Sequence, residues 1–195
     1  MFGAEKLLMK RCENEKVFNK CVNMINSFKQ YFFSHNQECY ENPSPGNHDG
    51  GITTLEEKSL GCIQKGGKAV ITDVLEYGEH CKKQGLNLLT GPGNDIVSTT
   101  NLTAAGANII LFTTGRGTPL GASVPTIKVS SNSRLAKRKS NWIDFNAGEL
   151  IESNDFENMT EEIFKFLIDI ASGRQTKNEQ NGYRDISIFK GGVIM

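Results

Sequence analysis

The sequence predicts an α/β protein: a mostly parallel, Rossmann-like sheet flanked by helices, with a long N-terminal helix. Three observations carry this expectation. Short apolar runs alternate with helical or loop segments over most of the chain, the order that builds parallel sheets. Two glycine-rich loops each follow such a run, as loops at the carboxyl ends of strands do. The first forty residues instead repeat apolar side chains at three- and four-residue steps.

Taken in order, Leu7, Leu8, Val17, Phe18, Cys21, Val22, Ile25, Phe28 and Phe32 predict one helix from Ala4 to about Phe33, or two with a break near Asn14. Residues 41–51 are dense in Pro, Gly and Asn, which suit neither a helix nor a central strand, and predict a long specialised loop. Thr54 and Glu57 have the spacing of a capping box, so a helix from about Leu55 to Gln64 follows. Strands are expected over Ala69 to Leu75, Leu86 to Thr90, Ile109 to Thr113, Thr126 to Val129 and Ile186 to Phe189. Helices are expected over Asp95 to Ala105, Ser133 to Arg138 and Met159 to Ala171, the last closed by Gly173. Asn141 to Gly148 alternates as a half-buried strand does, and Gln175 to Gly182 reads as compositionally loose.

Composition narrows the function classes. With 22 basic and 22 acidic side chains in 195 residues, no net field draws the molecule to nucleic acid or an anionic membrane. No apolar run approaches the roughly 20 residues of a membrane span, and no signal-peptide pattern opens the chain. Cys12, Cys21, Cys39, Cys62 and Cys81 lack the spacing of a structural zinc site or redox motif; a reduced, cytoplasmic setting is expected, with each cysteine a small apolar filler.

Four stretches have residues suited to chemistry. In Thr90 to Asp95, Gly91, Gly93, Asn94 and Asp95 lie between a predicted strand and a predicted helix, where free amides and the helix dipole attract an anion; the plainer alternative is a tight turn with Asp95 as N-cap. In Thr113 to Pro119, Gly115 and Gly117 allow close backbone approach, Thr114 and Thr118 offer hydroxyls, and Arg116 offers a planar fork of donors. Such a loop suits the carboxylate and hydroxyls of a sugar acid. The 42–51 loop with Glu56, Glu57 and Lys58 mixes amides, a histidine, carboxylates and an amine, able to assist proton transfer or hold a hard cation. Finally, Asp144 and Asn146 either face a site or cap turns. His48 and His80 read as solvated loop histidines.

The motifs Asn42-Pro-Ser-Pro-Gly-Asn47, Gly50-Gly-Ile-Thr-Thr-Leu-Glu-Glu-Lys-Ser-Leu-Gly61, Gly91-Pro-Gly-Asn-Asp95, Thr113-Thr-Gly-Arg-Gly-Thr-Pro119 and Asn141-Trp-Ile-Asp-Phe-Asn-Ala-Gly148 resemble the altronate/galactarate dehydratase family over essentially the whole chain. Sulfolactate sulfo-lyase shares that family, and Pro43-Ser-Pro45 with Gly91-Pro-Gly93 look closer to its altronate branch.

The resemblance implies a hydro-lyase that converts D-altronate to 2-dehydro-3-deoxy-D-gluconate and water, with a divalent iron or manganese ion whose ligands are unknown. It also implies a C-terminal portion of a longer dehydratase, with residues 1–40 a helical segment, residues 41–195 the α/β domain, and the remainder of the enzyme a partner; self-association into a homo-oligomer stays open. Substrate contacts are expected at Asn47, Gly93, Asn94, Asp95, Thr114, Gly115, Arg116, Gly117 and Thr118. Glu57 or Lys58 is expected to serve the proton transfers that removal of an α-proton and a β-hydroxyl requires. Two alternatives remain: a galactarate dehydratase-like lyase, and a non-catalytic α/β module that binds an anionic metabolite or a partner subunit.

Overall fold

A computed structural model describes residues 2–37, 43 and 45–191. The expected loop start at Asn42, the residues Cys39 and Ser44, and the expected boundary between residues 40 and 41 lie outside the described residues. The chain forms two compact units, Met1–Gly91 with Lys190–Met195, and Pro92–Phe189.

In the first unit, α1 (Glu5–Met9) and α2 (Glu15–Ser34) take the two-helix alternative. The break is local chemistry: Asn14 leaves helical geometry and its side chain accepts from the Val17 amide, an N-cap that starts α2 afresh. Val17, Cys21, Met24 and Ile25 form a buried stripe at helical spacing, in one core with Ile71 and Val74 of β1 (Ile71–Leu75). β1 pairs in parallel with β2 (Leu86–Leu89). Part of the expected loop is helical, α3 (Pro45–Asp49), with Pro45 at the first position, where a missing amide costs nothing. α4 (Leu55–Lys65) starts at the capping box expected from Thr54 and Glu57.

The second unit contains α5 (Asp95–Ala104), β3 (Ile110–Thr114), β4 (Thr126–Ser130), α6 (Ser133–Arg138), β5 (Phe145–Asn146), a 3-10 turn at Ala147–Glu149, α7 (Leu150–Ser153), α8 (Phe156–Ala171) and α9 (Lys177–Gln180). Its sheet runs in the order β3, β4, β5 with both pairings parallel, so β4 is central and all five of its residues are buried. α8 covers the sheet with Ile163, Phe166, Leu167 and Ile170, at i, i+3, i+4 and i+7, against Ile127, Val129 and Phe145.

The α/β class with parallel strands is therefore as expected, although the strands divide between two small sheets rather than one Rossmann-like sheet. Ile186 to Phe189 is not a strand: Ile186 and Ile188 are exposed, and the Ser187 amide donates to the Thr100 hydroxyl rather than to a ladder. Gln175 to Gly182 is not loose: Thr176 and Glu179 make a second capping box, and Thr176 and Asn178 are buried. Of the described cysteines, Cys21 fills the core, Cys12 is half-buried, and Cys62 and Cys81 are exposed. Among the described residues no helix is long and apolar enough to cross a membrane.

Candidate functional site

The second unit brings two of the sequence motifs together around a cavity of about 360 Å³, lined by Asn94, Asp95, Ile96, Thr118, Pro119, Leu120 and Asp185. That volume is within the range of small-molecule sites. Asn94, rather than Asp95, is the N-cap of α5: its Oδ1 accepts from the amides of Ile96 and Val97 at 3.1 and 3.3 Å. Two donors an incoming anion would use are thus already taken. Asp95, in the first turn, adds a carboxylate favoured by the helix dipole. Gly93 lies next to this turn but does not line the cavity.

The loop after β3 supplies the Thr118 wall. Thr114 Oγ1 accepts from the Gly117 amide at 2.9 Å, and Asn132 Nδ2 donates to the Gly115 carbonyl at 3.0 Å. Gly117 adopts φ +83°, and a Cβ there would come within 2.9 Å of Leu135, so only glycine suits both the turn and its packing on α6. Thr114, Gly115 and Gly117 therefore shape the loop, and Arg116 is exposed on it, outside the cavity lining. At the other end, Gly121 and Asp185 exchange bonds: the Gly121 amide donates to Asp185 Oδ2 at 3.1 Å, and the Asp185 amide to the Gly121 carbonyl at 2.6 Å. A Cβ on Gly121 would lie 2.5 Å from the Tyr183 carbonyl oxygen, so its absence permits this approach.

Behind the loop lies a residue that motif reading missed. Lys128, in the middle of β4, has no exposed surface; its Nζ donates to the Thr118 carbonyl at 2.6 Å and lies 4.8 Å from the centroid of the Phe112 ring. Burial pushes its ammonium down to about 8, with Asp144, Asp95 and Asp185 acting in the opposite direction. The available signal was a lysine inside the apolar run from Thr126 to Val129. Asp185, the other cavity carboxylate, had no comparable signal.

Asp144 caps backbone rather than facing a site: Oδ2 accepts from the Lys128 amide and Oδ1 from the Lys177 amide, both at 2.8 Å. Burial raises its carboxyl above the ordinary range, and those two amides oppose the rise. Asn146 accepts from the Gly148 amide and donates to Ser133 and Glu149, next to a second cavity of about 410 Å³.

In the first unit, Lys58 Nζ donates to Asn47 Oδ1 at 2.9 Å, bringing together two predicted residues. Glu57 is occupied otherwise. Its Oε2 accepts from the Thr53 amide at 2.8 Å, the Thr53 hydroxyl at 2.9 Å and the Thr54 amide at 3.2 Å, which hold its carboxyl below the usual range. This pattern is that of a helix cap. His48 and His80 are exposed, as expected. Among the described residues no group of three or more His, Cys, Asp or Glu side chains converges to hold a metal ion.

Residues 1–194 match the family described as D-galactarate/Altronate dehydratase, C-terminal. The chain is similar to altronate dehydratase from Escherichia coli (strain K12), 55% identical over 195 residues, which is 100% of this chain and 39% of that protein. It is 54% identical over 196 residues to altronate dehydratase from Bacillus subtilis (strain 168), again 100% of this chain and 39% of that protein. It is 36% identical over 187 residues to galactarate dehydratase (L-threo-forming) from Escherichia coli (strain K12), 94% of this chain and 36% of that protein. The chain thus spans about two fifths of the length of the altronate dehydratases it matches.

Proposed function

Because this chain belongs to the D-galactarate/altronate dehydratase C-terminal family, we propose that it is the sugar-acid-binding portion of a hydro-lyase that converts D-altronate to 2-dehydro-3-deoxy-D-gluconate and water. The observation that carries the substrate choice is the identity of 55% and 54% to two altronate dehydratases, against 36% to a galactarate dehydratase.

The chemistry sets what such a portion must offer. Removing the proton α to a carboxylate while the β-hydroxyl leaves builds negative charge on that carboxylate, and fixed donors aimed at it lower the barrier. Arg116, exposed on a glycine-shaped loop, has the planar fork for that carboxylate. Asn94, Asp95, Thr118 and Asp185 line a polar cavity whose amide, carboxylates and hydroxyl suit the sugar hydroxyls rather than a second anion. Gly93, Thr114, Gly115 and Gly117 give these side chains their backbone. For proton transfer, Lys58 held by Asn47 is the stronger candidate, because Glu57 is engaged in capping α4. The divalent ion takes its ligands from the remainder of the dehydratase, and turnover requires that remainder.

The test is product formation from D-altronate by the full-length enzyme that carries this domain. Arg116→Ala is expected to lower kcat/KM by roughly 10²-fold, the scale of losing one donor to a developing charge. Unchanged kcat/KM would remove the carboxylate role, and turnover of galactarate in preference to altronate would overturn the substrate choice.

A further inference from the structure

Lys128 takes an ammonium into the central strand of its sheet, between Ile127 and Val129. A buried cation persists only where it is hydrogen-bonded and its charge is matched. The bond it makes is not to a strand or helix carbonyl but to Thr118, whose loop forms the cavity wall with Pro119 and Leu120. The carboxylates acting on it are Asp144, then Asp95 and Asp185, and the last two line the same cavity. Among other elements packed on β4, α9 brings Lys177, which donates to the carbonyls of Ser140 and Ile143. α6 brings Arg134, Lys137 and Arg138, and the 3-10 turn brings Glu149.

We propose that Lys128 is a positioning residue for the cavity: through the Thr118 carbonyl its ammonium fixes the Thr118–Leu120 wall, and that fixation depends on the ammonium keeping its charge. When Nζ gives its proton to solvent, the charge-assisted bond falls to a neutral one, and Asp95 and Asp185 lose their counter-charge. The functional meaning of this device rests on reading the cavity as the sugar-acid site; the device itself does not.

The experiment is a pH titration of the isotopically labelled full chain by NMR between pH 6.5 and 9.5. It follows the Lys128 side-chain resonances, the amides of Thr118, Leu120 and Gly121, and D-altronate affinity. The expected result is one midpoint near 8 shared by Lys128 and the loop amides, with affinity falling roughly tenfold through it, the scale of one charge-assisted bond. Asp185→Asn, which removes a carboxylate that favours the charged form, lowers the midpoint. Lys128→Gln, which keeps a donor but cannot titrate, abolishes the amide titration and gives affinity at pH 7 that matches the wild type at high pH. The proposal is overturned if Lys128 titrates while the loop amides do not, or if the amide midpoint survives in Lys128→Gln. Should Lys128→Gln fail to fold, Thr118 and Leu120 amides that stay still in the wild type while Lys128 titrates overturn it on their own. If the loop titrates as expected but D-altronate binds at no pH, the positioning role stands and the sugar-acid reading falls.

Discussion

Lys128 also makes stability depend on pH in a direction opposite to that of most ion-paired lysines. Its ammonium is lowered from 10.5 to about 8 in the folded chain, a difference worth roughly 3 kcal/mol. Between those two values the unfolded chain binds the proton and the folded chain does not, so stability rises with pH there, and below 8 the full penalty applies. Relative to Lys128→Met, the wild type is expected to gain roughly 2 kcal/mol between pH 7.5 and 9.5, read as the difference between their denaturation free energies. No change in that difference would show that the ammonium is not penalised. Glu57 shows the reverse sign: its carboxyl is held low, so the contribution it makes is present above its ordinary value of 4.5 and lost as pH falls through the folded value. Both roles were only half legible in the sequence. The lysine stood in view inside an apolar run, but that its Nζ reaches Thr118 depends on the central placement of β4, which no local pattern states.

Capped helices were the most readable elements, because a cap is written in adjacent residues. Thr54 and Glu57 announced α4, and Thr54→Ala is expected to cost about 1 kcal/mol in thermal or chemical denaturation; Glu57→Gln should leave turnover of the full-length enzyme largely intact. A Glu57→Gln enzyme that folds but has lost turnover would return the carboxylate to a catalytic role. α9 was written in the same code, Thr176 and Glu179, yet its polar composition suggested looseness. What decided the outcome was burial: Asn178 Nδ2 donates to the Thr126 carbonyl at 3.0 Å, inside the unit. Asn178→Ala leaves that carbonyl unpaired and is expected to cost about 1–3 kcal/mol, measurable as a lower denaturation midpoint; a neutral result would restore the loose reading. Ile186 to Phe189 misled in the other direction. Its alternation is real, but a strand also needs a partner edge, and here the Ser187 amide is taken by the Thr100 hydroxyl instead.

On the scale of the whole molecule, sequence spacing identified the parallel α/β class but not how the strands are shared. β1 with β2, and β3 with β4 and β5, form separate sheets in separate units, and the division falls between Gly91 and Pro92, inside a motif read as one binding loop. The predicted site residues are divided the same way. Asn47, Glu57 and Lys58 belong to the first unit; Gly93 to Asp95 and Thr114 to Thr118 belong to the second, which contains the cavity. The central claim, that this cavity receives a sugar acid, is tested most directly by titrating D-altronate into the labelled chain and following its amide spectrum. The expected result is saturable shifts at Asn94, Asp95, Thr118, Leu120 and Asp185 with D-altronate, and weaker ones with galactarate. A saturable response confined to residues outside that cavity, or none at millimolar D-altronate, would contradict it.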